Sequence, residues 1–176
     1  REERTPHDKV LNDSTSSPLK IEIARNSMTV MNSEVLEYQN TLIDDPRGYL
    51  FGKYLGMLRD PQVPVAPAGV EDVRFWNYMW YRNHYWDRVD FTDSRLVRDG
   101  SFHNMIEMWW GQVIPPDPDT LFFEAKKLLA KAASNEEMFK YFLHHMTFES
   151  ESSKVMCMDK VFVDLVNEYY VTGKVE

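Results

Sequence analysis

The sequence predicts an all-α fold of about seven helices, joined mostly by short loops into an antiparallel array or bundle. Three observations carry this expectation. Apolar residues recur at spacings of three and four along most of the chain. A capping residue followed by proline, the usual opening of a helix, occurs at Ser17-Pro18, Asp45-Pro46 and Asp117-Pro118. Strand signals are nearly absent. With 176 residues, 43% of them hydrophobic, the chain can bury roughly 70% of its unfolded surface and form a real core.

Residues 1–17 are polar and aperiodic, ending Asp13-Ser14-Thr15-Ser16-Ser17, and read as a flexible arm or linker ahead of one helical domain over 18–176. Ile21, Ala24, Met28, Met31, Val35, Tyr38 and Leu42 form one stripe and predict a long helix over 18–44. Asp45-Pro46 predicts a second, to about Leu58, whose apolar stripe is Tyr49 or Leu50, the stem of Lys53, Tyr54, Met57 and Leu58. Pro61, Pro64 and Pro67 then remove backbone donors and force a non-helical connector. A third helix is expected over 71–86, with Phe75, Tyr78, Met79, Arg82 and Trp86 on one side.

Residues 87–100 read as an irregular loop with a turn of helix at 93–97, followed by a helix over 101–113 that Pro115-Pro116 stops. Behind Asp117-Pro118, the residues Leu121, Ala125, Leu128 and Ala132 set the fifth stripe. Ser134 and Glu137 have capping-box spacing and predict a sixth helix to about Glu149. The seventh places Val155, Met158, Phe162, Leu165 and Tyr169 in register until Gly173 ends it.

A formal charge of −8 with no Lys/Arg block argues against nucleic acid as a partner. The lone Cys157 excludes an internal disulfide, a Cys-x-x-Cys pair and a multi-cysteine zinc site. No apolar run approaches the ~20 residues that cross a bilayer. The start at Arg1-Glu2-Glu3-Arg4, without methionine, suggests a processed or excised segment, so the lack of a signal peptide is uninformative.

No complete catalytic motif is present, and no cofactor or metal is expected. His144 and His145 are adjacent and point about 100° apart on a helix, which suits surface or capping roles better than shared ligation. Asp87, Asp90 and Asp93 recur every third residue, but the EF-hand's glycine and final glutamate positions hold Thr92 and Arg98. Cys157, between Met156 and Met158, reads as a small buried apolar residue rather than a reactive thiol. The most distinctive segment is Phe75 to Asp87, with aromatics on every side of one helix. It serves either as the central helix of the bundle or as a docking face. Candidate partner- or ligand-binding residues are Trp80, Arg82, His84, Trp86, Asp87, Asp90 and Arg95, with Arg82, Trp86 and Arg95 as anchors because Trp and Arg dominate interface energetics.

The stretch His84 to Arg98, the segments Phe139-Lys140-Tyr141, Ser153 to Asp159 and Val161 to Leu165, and the run Tyr169 to Lys174 resemble a known family. It is the helical domain of unknown function that precedes a thioredoxin-like (redoxin) domain in bacterial cell-envelope proteins described as thiol–disulfide oxidoreductase-like. The likeness covers about residue 30 to the C-terminus. The family usually has glycine where this chain has Cys157, so that cysteine inherits no role.

The resemblance implies a periplasmic or lipoprotein-tethered location and a redoxin domain expected after residue 176. That domain of the same polypeptide, or another envelope protein, is the implied partner. The leading expectation is therefore a non-catalytic accessory module that binds or positions something beside a redox domain, with no enzyme activity in the fragment itself. Two alternatives stay open. One is a small-ligand binder or enzyme with a cleft near helix 71–86, using His84, Asp87, Asp90 and His103. The other is a spacer of stacked helical hairpins, although no 34-residue repeat is visible.

Overall fold

The computed structural model describes residues 10–11 and 17–173. The expected N-terminal arm lies, apart from Val10, Leu11 and Ser17, outside the described residues. Beyond the two helical residues 10 and 11, the described residues form seven α-helices, one 3-10 turn and no strand, so the fold is all-α. The chain divides into two compact units, one ending at Leu55 and the other beginning at Gly56.

The first unit contains α1 (Pro18–Ile43) and most of α2 (Leu50–Met57). Ser17 sits extended at the N-cap of α1, with Pro18 in the first turn. Ala24 is buried, and Ile21, Met28, Met31 and Leu42 are half-buried, as the stripe requires. Val35 and Tyr38 share that stripe but are exposed, at 54% and 66%. Within this unit the close contact falls instead at the end of α1, where Gly52 meets the backbone of Leu42 and Ile43. A Cβ on Gly52 would lie 2.2 Å from the Leu42 carbonyl oxygen, so only glycine fits there.

Asp45-Pro46 does not open α2. The Asp45 carboxylate accepts from the Arg47 backbone N–H and from its Nε, both at 2.9 Å, and its carbonyl closes a turn onto Gly48 N. Gly48 then takes φ +59, which a right-handed helix cannot continue, and α2 starts only at Leu50. The cap-and-proline pair makes a turn here because a left-handed glycine follows it.

The second unit begins with the expected proline connector and then α3 (Val73–His84), whose N-cap Asp72 accepts from Phe75 N. It ends two residues before the sequence expectation. Turns from His84 O to Asp87 N and from Trp86 O to Val89 N break the helix and direct Tyr85 and Trp86 inward. A 3-10 turn (Ser94–Arg98) leads into α4 (Gly100–Met108), which continues as a π turn over Trp109–Val113. Helix α5 (Pro118–Ala132) opens as expected, with Asp117 accepting from Thr120 N.

Helix α6 (Glu136–Ser152) is capped one residue later than its sequence suggests. Asn135 accepts from Met138 N, while Glu137 leaves the presumed box to take Arg98 at 3.1 Å. Helix α7 (Asp159–Leu165) runs on as a π turn to Val171 and ends at Gly173, φ +69. Val155 precedes it and is exposed, so it falls outside the predicted stripe, whereas Met158, Leu165 and Tyr169 are buried.

The core of this unit has two parts. Leu128, Leu129, Leu143, Val161 and Leu165, all at or below 1% exposure, pack α5, α6 and α7 together. The other part is aromatic and centres on Trp86, whose ring lies 5.4 Å from those of Trp109 and Phe142 and 6.3 Å from Phe102. The edge-to-face pairs with Trp109 and Phe142 add about 0.5–1.5 kcal/mol each beyond the area they bury.

Cys157 is exposed, not buried as its apolar neighbours suggested, because it occupies the turn before α7. Its φ of +70 is a left-handed conformation that costs a residue with a Cβ about 1–2 kcal/mol. Glycine relieves that strain but gives back part of the gain as unfolded-chain entropy. Cys157→Gly should therefore raise stability by about 0.5–1 kcal/mol in urea denaturation. A neutral or destabilising result would show that the left-handed turn is not populated.

Candidate functional site

The structure distributes the residues singled out by sequence among several environments. Arg82 turns inward from α3 and pairs with Glu124 of α5 at 2.7 Å, their side chains only 10% and 5% exposed. Lys127 also reaches Glu124, at 3.2 Å. Burial opposes the Arg82 charge, but hydrogen bonds to Glu124 and Tyr78 outweigh it and raise its pKa. Trp86 is 4% exposed at the centre of the aromatic core.

Trp80 and His84, one turn apart, stack with ring centroids 3.9 Å apart and planes 9° from parallel. The His84 ring nitrogen Nδ1 also lies 2.7 Å from the Trp80 carbonyl oxygen. Asp87 meets Lys131 of α5 at 3.3 Å. Asp90 accepts from Thr92 N and Oγ1, shaping the loop. Arg95 forks onto Asp93 through Nε at 2.7 Å and Nη2 at 2.6 Å. His103, the fourth member of the cleft imagined near His84, Asp87 and Asp90, is held elsewhere by α6.

There it helps form a groove that the sequence did not assemble. Between α4 and α6 lies a cavity of about 500 Å³ lined by His103, Tyr141, His144, His145, Phe148 and Lys140, among others. His103 is fixed at both nitrogens: Nε2 lies 3.3 Å from Glu107 Oε1 and Nδ1 lies 2.9 Å from Tyr141 Oη. Glu107 Oε1 can accept from Nε2–H, and Tyr141 Oη shares the hydrogen bond at Nδ1, whose direction follows the imidazole tautomer. Burial raises the Tyr141 pKa, with the Glu107 charge adding to it, so the phenol keeps its proton.

His145 stands edge-on to His103, ring centroids 5.3 Å apart. Burial, and then the proximity of His103, lowers its pKa to about 4, so it is a neutral part of the groove wall at neutral pH. Its Nε2 is enclosed and has no hydrogen-bond partner among the described residues. The arrangement offers rings and a phenol to a ligand or to a partner's side chain, while the Lys140 ammonium is paired to Glu136 at 2.7 Å.

The family described as "Domain of unknown function (DUF5106)" matches residues 20–176, nearly the whole chain. The chain belongs to the DUF5106 family. No curated protein matches it, and no solved structure does. In this DUF5106 domain no three His, Cys, Asp or Glu side chains among the described residues gather closely enough to hold a metal ion. Nor is any described helix long and apolar enough to cross a membrane.

Sequence reasoning missed Tyr141, Glu107 and Glu124. His103 and Glu107 have the i,i+4 spacing of a helical pair, and that signal was readable. Glu124 lies three residues after Leu121, on the buried side of the α5 stripe, where an acid requires a partner. The partner's identity was not readable, because Arg82 lies 42 residues away.

Two outcomes follow. Arg82→Ala leaves Glu124 with Lys127 as its one remaining charged partner among the described residues and should cost about 2–3 kcal/mol, whereas Arg82→Met combined with Glu124→Leu should recover most of that loss. Denaturant titration of the three proteins checks this. For His145 the folded pKa lies below its unfolded value, so its contribution to stability is complete above pH 6.5 and is lost as pH falls towards 4. Discounted for partial exposure, the loss is about 1–2 kcal/mol. Stability measured across this window should flatten in His145→Gln, and an unchanged slope contradicts the assignment.

Proposed function

We propose that this chain is a non-catalytic accessory domain of a thioredoxin-like cell-envelope protein, and that it binds or positions a partner beside the redox domain. One observation carries the binding role: the ring-lined groove between α4 and α6, whose histidine and tyrosine are held in place by hydrogen bonds within the wall. A preformed groove loses little conformational entropy on binding, which is what a docking surface needs. The thioredoxin-like neighbour and the envelope location rest on the sequence resemblance of residues 84–98 and the later segments.

The aromatic helix supports the same reading from the other side. Arg82 on it and Trp86 just beyond its end hold the scaffold, through the Glu124 pair and the aromatic cluster, so the working surface moves from the helix to the groove. The partner is the thioredoxin-like domain of the same polypeptide, or a client held for it.

A second reading is favoured by one contact. The chain Tyr141–His103–Glu107 orients an imidazole as an acid–base residue is oriented, and so points to a small-ligand enzyme.

The deciding experiment titrates this domain with the thioredoxin-like domain of the full-length protein and follows disulfide reduction. Binding should be saturable and should weaken at least about tenfold in Phe148→Glu, a change at an exposed groove residue. Absence of binding together with an unaltered reduction rate contradicts the accessory role.

A further inference from the structure

A second cavity, of about 320 Å³, lies away from the histidine groove and within the second unit, between residues 57–61 and the face of α4. Three of its lining residues are methionines, Met57, Met105 and Met108. Met105 and Met108 are one helical turn apart, which puts them on one face with Cβ atoms about 5–6 Å apart. Met57 lines the same space from a different segment of chain.

The three are graded in depth. Met57 is 2% exposed, Met105 is half-buried and Met108 is 48% exposed, so the three methionines that line the cavity run from the interior to the surface. The wall behind them is fixed. Tyr85 Oη donates to the Met105 carbonyl oxygen at 2.9 Å, and Tyr81 Oη donates to Asp60 Oδ1 at 3.2 Å. Arg59 and Asp60 also line the cavity, one of each sign, so the pair adds no net charge to it. What distinguishes the site is therefore a set of neutral, polarizable sulfurs.

Thioether sulfur is a soft donor that selects Cu(I) over the harder divalent ions. Methionine's three rotatable bonds let sulfurs from two walls close on one ion without moving the backbone. The geometry points to a site for a single soft monovalent cation, Cu(I) or its redox-inert counterpart Ag(I), held by the sulfurs of Met57, Met105 and Met108. No electron transfer is involved, since the ion binds and leaves in the same oxidation state. Thioethers carry no proton to lose, so binding should be the same at pH 7 and pH 5, where an imidazole site would weaken.

The test uses the whole chain with Cys157→Ser, which removes the competing thiol. Ag(I) is titrated by calorimetry, and Cu(I) is titrated anaerobically under ascorbate against a chromogenic Cu(I) chelator. One equivalent should bind, excess Zn(II) should not displace it, and affinity should not change between pH 7 and pH 5. Met→Leu conserves volume, so Met105→Leu and Met108→Leu should keep the circular dichroism spectrum while weakening the ion about tenfold or more. Met57→Leu with both should abolish binding. Absence of binding by the Cys157→Ser chain overturns the site, as does binding unchanged in the triple variant or lost at pH 5.

Discussion

The constraint on which the second unit depends is the burial of Trp86. Its indole contacts rings from four neighbouring stretches of chain: Tyr85 beside it, Phe91 in the following loop, Phe102 and Trp109 on α4 and its π turn, and Phe142 on α6. Helix α3 must stop at His84 for this to happen, because a continued helix would carry Trp86 along its axis instead of into the core. The indole N–H groups of Trp86 and Trp109 are enclosed with no hydrogen-bond partner among the described residues, a cost of about 1–3 kcal/mol each. Packing five rings around the Trp86 indole offsets that cost, which explains why so many aromatics sit in one short region.

Once the cluster is formed, the polar features fall into place around it. The loop after α3 is drawn close to α4 and α6, and its carboxylates are spent on local order: Asp90 on Thr92, Asp93 on Arg95 and Asp99 on Ser101 N. Helix α5 is tied to α3 by Arg82 and Glu124, a buried pair whose merit is registry more than energy. The histidine groove is a consequence of the same packing. Phe102 and Phe142 face the core in ring contact with each other, and their neighbours His103 and Tyr141 meet outside them.

Helices were legible in the sequence because period and caps are local properties. Asp117-Pro118 opened α5 as expected, and Gly173 closed the last helix. The misreadings were local too. Asp45-Pro46 carried a helix-start signal that Gly48 overrode, and Ser134 gave up the cap to Asn135 once Glu137 found Arg98. The candidate site was much less legible. Sequence could mark Arg82 and Trp86 as unusual but not tell an anchor for a partner from an anchor for the core. That depends on Glu124 and Phe142, which lie 42 and 56 positions away and are brought near only by folding. His103, Tyr141 and His145 failed to register as a group for the same reason.

Indole N–H exchange measures the central constraint most directly, because the chain has five tryptophans. In ¹H–¹⁵N spectra after transfer to D2O, the Trp86 and Trp109 signals should persist until global unfolding releases them, while those of the half-buried Trp76, Trp80 and Trp110 disappear early. If Trp86 instead exchanged as fast as Trp80, its ring would not be the hub of the core. The assignment of α3 to structural duty would then fail.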